Sequence, residues 1–221
     1  MDDLSTKIQE NPLFLKLKTV IENNPYHDNQ DVYSHSIKTY ETAKKLITGD
    51  FIENSEEKEL FLEFINEDYE GAKRHDLMLI TSLIHDIGKI LYYKEDGKEK
   101  SIRHVSTEGK TRLPGHEYWG STIVPELLKD SGLSEKAIER IADVVRLHDS
   151  FNEGYFKQAS DWDLENLIDD IKSRAEGLYK EALFNILCDC YYAPVYDFAK
   201  KRIIEVFNCP SIYTQREYFI K

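Results

Sequence analysis

His85 and Asp86 stand side by side at the end of an apolar run, residues 77–84, and Gly88-Lys89 follows directly. A histidine and an aspartate are costly to bury unless something compensates both. A divalent metal ion does so, because neutral imidazole and carboxylate are both good ligands. Four further residues of ligand type strengthen the case. At about 100° per residue on a helix, His148 projects with Ile138, Ile141 and Val145, and Asp189 with Leu178, Ala182 and Ile186. His35 shares a face with Val32, Thr39, Thr42 and Leu46, and His116 follows Pro114-Gly115 at the start of a helix. One buried histidine is ordinarily a hydrogen-bonded core residue. A carboxylate inside an apolar stripe needs a partner. Six such residues around one helical core point to a shared one.

The segments that must carry these residues show mostly helical spacing. The pattern predicts helices over 12–22, 31–48, 56–66, 74–86, 116–129, 134–148, 161–171, 174–192 and 195–207. Gly88 is expected to break the central helix, Ser134 to cap the one ending at His148, and 149–160 to be a loop. Residues 90–115 differ. Asp96-Gly97 lies between short β-prone runs, which is a hairpin signal. The expected fold is therefore all-α, a single domain over 1–221 with a small β-hairpin insertion near 90–115.

A chain of 221 residues with a net charge of −12 does not suit general nucleic-acid binding or docking to an anionic membrane. Cys188, Cys190 and Cys209 form no disulfide framework or paired zinc signature, and three thiols suit a reducing cytosol. Cys188-Asp189-Cys190 reads as packing around Asp189. The N-terminus lacks a cationic start and an apolar h-region, and no apolar stretch is long enough to span a bilayer. The expectation is a cytoplasmic protein. Nothing in the sequence specifies an oligomeric state.

The order His35, His85-Asp86, Asp189 resembles the H…HD…D signature of the HD-domain superfamily of all-helical, metal-dependent phosphohydrolases, over a core of about residues 31–192. His85-Asp86-Ile87-Gly88-Lys89 looks like its best-known stretch. Gly115-His116-Glu117 and the helix ending in His148 resemble the further histidines of binuclear members. Those include the HD domains attached to bacterial tRNA nucleotidyltransferases and the HD-GYP cyclic-dinucleotide phosphodiesterases. After His148 this chain has no GYP signature, a departure that bears on cyclic-dinucleotide specificity. The resemblance implies one metal on His35, His85, Asp86 and Asp189, and a second on Asp86 as a bridge with His116 and His148. Imidazole mixed with carboxylate suits Mn, Fe, Co, Ni or Zn better than an all-oxygen Mg site. It also implies Lys89 as a catalytic cation on a phosphoryl oxygen, the other reading being a solvated lysine after a helix end.

Residues 89–112 hold seven basic residues (Lys89, Lys94, Lys98, Lys100, Arg103, Lys110, Arg112) against four acidic (Glu95, Asp96, Glu99, Glu108). That segment fits an anionic substrate, with Arg103 and Arg112 as binding residues, and fits an ordinary solvated hairpin equally well. Asp149 would orient the neighbouring His148 or cap the helix end. Tyr155 would flank a base or cover the core. The function these residues imply is hydrolysis of a nucleotide or other small phosphate ester, mono- or diester, by a metal-bridging hydroxide. Two alternatives share the ligand set: a mixed-valent di-iron oxygenase of the same fold, and a non-catalytic nucleotide-binding module.

Overall fold

The computed structural model describes residues 2–23, 30–95, 98–101, 104–105 and 111–214; at Asp2 and between 92 and 112 it describes the backbone alone. The architecture is all-α with a small β insertion. In chain order the helices are α1 (Asp2–Glu10), α2 (Pro12–Leu15), α3 (Val32–Leu46), α4 (Ser55–Asn66), α5 (Arg74–Ile84), α6 (His116–Leu128), α7 (Glu135–Leu147), α8 (Glu153–Gln158), α9 (Leu164–Ala175), α10 (Tyr179–Cys190) and α11 (Asp197–Phe207). Short 3-10 turns follow α2 (Lys16–Thr19) and α5 (Ile87–Ile90), and flank α11. The insertion holds two antiparallel pairs, β3 (Tyr92–Glu95) with β4 (Lys98–Ser101) and β5 (His104–Val105) with β6 (Thr111–Arg112). The first is the hairpin that Asp96-Gly97 signals; those two residues themselves lie outside the described ones. A further two-residue pair, β1 (Asp68–Tyr69) with β2 (Ala72–Lys73), precedes α5.

Local chemistry explains where the site-bearing helices begin. Asp31 accepts from Ser34 N at the start of α3, and Ser134 accepts from Ala137 N at the start of α7. Each satisfies an amide that the first helical turn leaves without a partner. Gly115, at φ 81, takes the left-handed conformation that glycine adopts readily and opens α6 directly onto His116.

Helix α5 is buried all round. Its Leu77, Ile80, Leu83 and Ile84 join α3, α6, α7 and the N-terminal segment in one apolar cluster. Its Met78 joins the other, where Phe51, Phe61, Phe184 and Phe207 pack edge to face and tilted between α4, α10 and α11. From Leu77 onward its residues are apolar or, like Thr81 and Ser82, hydrogen-bonded to the helix's own carbonyls, which suits the centre of a bundle. The buried pair His85-Asp86 sits at its end.

Several boundaries differ from the sequence expectation: α1 has no counterpart in it, and the helix expected over 161–171 runs Leu164–Ala175. The helix expected over 12–22 is only α2 and a 3-10 turn, after which Val20–Glu22 runs extended and Ile21 bridges Asp31. Phe14, Leu17 and Val20 are the buried apolar residues here, and a spacing of three is the 3-10 period. The expected loop 149–160 contains α8, capped by Asn152 through Tyr155 N. The helix expected from residue 174 starts at Tyr179, because Glu176 and Gly177 both take positive φ. Gly88 is not where α5 stops: the helix ends at Ile84. A Cβ on Gly88 would lie 1.9 Å from His116 O and 2.4 Å from Gly120 N, so the glycine lets the 3-10 turn touch the α6 backbone.

Candidate metal centre

The six expected ligands all lie at or near helix ends. His85 follows the last residue of α5, His148 follows the last of α7, and His116 opens α6. His35 stands in the first turn of α3 and Asp189 in the last of α10. All four histidines are buried or nearly so. Three are oriented by one device. Nδ1 of His85 donates to Ser82 O (3.0 Å), that of His148 to Val145 O (2.6 Å), and that of His116 to Leu113 O (2.7 Å). For His85 and His148 the acceptor is a carbonyl of the last helical turn, and Val145 O takes the His148 amide as well (3.4 Å). With the proton held on Nδ1, the neutral ring presents the Nε2 lone pair inward.

Asp86 stands between two groups. Its Oδ2 faces His85 Nε2 (3.4 Å) and His35 Nε2 (3.7 Å); Asp189 Oδ1 completes this side, 2.7 Å from His35 and 3.5 Å from His85. Its Oδ1 faces His116 Nε2 (3.2 Å) and His148 Nε2 (3.6 Å). Two clusters of potential ligand atoms result, His35-His85-Asp86 and Asp86-His116-His148, each with its atoms within 4.8 Å of one another. The set fits divalent metal on two further grounds. Nε2 of His85 is fully buried and makes no hydrogen bond with the described residues. His116 and His148 also bring their Nε2 atoms to 2.9 Å, each with Nδ1 on a carbonyl. Two lone pairs at that distance repel unless a cation joins them. The spacing suits two ligands of one ion at metal–nitrogen lengths of about 2.1 Å.

The electrostatics agree. Burial alone would raise the Asp86 carboxyl, but Lys89 and His85 outweigh it and hold it well below the usual carboxylate range. Burial would likewise raise Asp189, and His35 with His85 hold it well below. Burial disfavours the His85 imidazolium, yet Asp86 and Asp189 prevail and push its pKa up to about 10. Two ionised carboxylates thus keep positive charge at this spot, which a proton or a metal ion can supply.

A cavity of about 540 Å³ opens on this cluster; Asp86, Lys89, His116, His148 and Asp189 line it together with Leu113, Pro114, Asp149, Glu153 and Tyr196. Lys89 is buried, not solvated; its ammonium lies 2.9 Å from Asp86 Oδ2 and donates to Glu22 Oε2 at 2.7 Å. Glu22, also buried, is the site residue that sequence reasoning missed, and its own neighbourhood in the chain carries no signal of it. Asp149 lines the cavity but does not orient His148, a task the Val145 carbonyl performs. Tyr155 points elsewhere, donating its hydroxyl to Asp170 Oδ2 (2.9 Å) and packing against the phenylalanine core. Arg103 lies outside the described residues, and Arg112 is placed in β6 by its backbone alone. Cys188 and Cys190 are buried, and burial raises both thiols, so they pack beside Asp189 as neutral groups.

The HD domain family matches residues 32–193, most of the chain and every expected ligand. The chain belongs to the HD domain family, whose members are generally metal-dependent phosphohydrolases. No curated protein matches it. Among the described residues no helix is long and apolar enough to cross a membrane.

Proposed function

We propose that the chain hydrolyses a nucleotide or other small phosphate ester at a binuclear centre held by His35, His85, Asp86, His116, His148 and Asp189. The observation that carries the reading is Asp86, with Oδ2 toward one ligand group and Oδ1 toward the other. When bound, the metals supply an activated water and charge stabilisation for an in-line displacement at phosphorus. The protein's own part is to present lone pairs in fixed directions, which the Nδ1–carbonyl bonds do, and to keep both carboxylates ionised. Lys89 lines the same cavity, where its ammonium would donate to a phosphoryl oxygen as negative charge develops. The cavity is within the usual size for a small-molecule site. Its described lining also carries Glu117, Asp149 and Glu153, which disfavour a long polyphosphate and leave an ester with few phosphoryl charges as the better fit.

The test is a panel of phosphate mono- and diesters, each assayed with Mn²⁺, Co²⁺, Ni²⁺, Fe²⁺ and Mg²⁺ added separately. At least one ester should turn over in a metal-dependent way, and Asp86→Ala should abolish that turnover. No hydrolysis with any metal, together with oxygen consumption by iron-loaded protein, would replace the hydrolase by the di-iron oxygenase.

A further inference from the structure

The buried pair of Glu22 and Lys89 lies against the metal cluster but belongs to none of its ligands. Glu22 is 3 % exposed and Lys89 5 %. Glu22 precedes the residues that the family match covers. It follows the extended stretch that begins at Val20 and is pinned by backbone bonds from Val32 N to Val20 O (2.9 Å) and from Glu22 N to Gln30 O (3.3 Å). The same stretch is anchored below by Phe14, Leu17 and Val20 in the core. The carboxylate is therefore presented from a fixed backbone to the wall of the cavity, where it meets an ammonium 67 residues further along the chain.

We infer that Glu22 is a positioning residue for Lys89: the segment before the family domain supplies the carboxylate that fixes the lysine ammonium over the centre. The physical need is specific. A lysine carries a point charge on a flexible four-carbon stem, and its three N–H donors have no preferred acceptor. Without Glu22 the ammonium would shift toward Asp86, the carboxylate that stands between the two ligand groups. Glu22 Oε2 accepts a hydrogen bond from the ammonium at 2.7 Å, whereas Asp86 Oδ2, 2.9 Å away, makes an ion-pair contact with it. Lys89 then stays at the cavity wall and Asp86 keeps Oδ2 directed at His35 and His85.

For its kinetic readout the inference rests on the phosphohydrolase reading; its spectroscopic readout does not. The experiment uses zinc-loaded, ¹⁵N-lysine-labelled protein and follows the side-chain ammonium resonances, the Lys89 signal being the one that Lys89→Met removes. In the wild type that signal should be slowed in exchange with water. Glu22→Ala should broaden or abolish it, and Glu22→Gln, which keeps an acceptor of the same shape, should retain it in part. On the best ester, Glu22→Ala should lower kcat by about 10- to 100-fold with KM little changed, the usual scale for a group that orients a reacting one. Glu22→Gln should recover part of the loss, and in the Lys89→Met background Glu22→Ala should cost nothing further. An unchanged Lys89 resonance in Glu22→Ala overturns the inference, and so do kinetic losses that multiply in the double variant. If the wild type hydrolyses no ester, the hydrolase reading fails, and the resonance alone decides whether Glu22 holds Lys89.

Discussion

Replacing Gly88 by alanine tests the contact on which the second half of the site depends. The added Cβ would sit 1.9 Å from His116 O and 2.4 Å from Gly120 N. Both are backbone atoms, so neither can turn aside as a side chain would. Restoring ordinary carbon contact at about 3.5 Å requires the 3-10 turn and the start of α6 to part by roughly 1.6 Å. Overpacking of this kind costs about 1–3 kcal/mol and occasionally more. Gly88→Ala belongs at the upper end, since the clash is with main chain at two points. At about 2–4 °C per kcal/mol for a chain of this size, the melting temperature should fall by roughly 6–12 °C. The same displacement carries His116 from Asp86, now 3.2 Å away, so the centre should lose an ion as well. Differential scanning calorimetry and elemental analysis measure the two effects. Gly120→Ala is the milder comparison: its Cβ would meet Val145 Cγ1 at 3.0 Å and the Gly88 backbone nitrogen at 3.3 Å, both longer than the approaches at Gly88. Alanine also favours the helix interior by about 1 kcal/mol, so the loss should be smaller than in Gly88→Ala. A Gly88→Ala protein that melts within about 2 °C of wild type with unchanged metal content would refute the account of this glycine.

Asp86→Ala should remove both ions and all activity, whereas His116→Ala or His148→Ala should lose mainly one ion; unchanged stoichiometry in Asp86→Ala by elemental analysis would sink the two-metal scheme. Lys89→Met should keep metal but lower turnover by about 10²–10³-fold on the best ester. It should also melt lower, because it leaves the buried Glu22 carboxylate without this cation, a change worth about 3–5 kcal/mol when one partner of a buried pair is deleted. A neutral effect on both would make Lys89 a bystander. In metal-free protein His85 has a folded pKa of about 10 against 6.5 unfolded, so its stabilising contribution is complete below pH 6.5 and disappears as pH rises through about 10. Melting temperature should therefore fall from pH 7 to 10 without metal and fall less with it, since a ligand imidazole is already deprotonated; parallel curves would contradict this.

The six candidate ligands stood out in the sequence largely because some of them are locally out of place. His148 and Asp189 interrupt apolar stripes, and a polar group on a buried helical face shows itself through periodicity alone. The arrangement that orients them was not legible, since a Nδ1 bond to a carbonyl three residues back involves the main chain, which every sequence shares. Gly88 shows the same limit from another side. A glycine after an apolar run reads as a helix stop. The letter is identical when its purpose is to admit the backbone of α6, and only the 1.9 Å approach to His116 O separates the two. Lys89 and Glu22 go further. Each alone is an ordinary charged residue beside a helix end or a turn, and neither breaks a local pattern. Their burial becomes intelligible through the pair they make across 67 residues of chain, with Asp86 beside the same ammonium. The two carboxylates let the ammonium tolerate the interior, and the ammonium offsets the cost of burying Glu22. Periodicity can identify a residue that needs a partner, but it cannot identify two residues that have already found each other. That is why a site built from single ligands emerged from the sequence while the ion pair beside it did not.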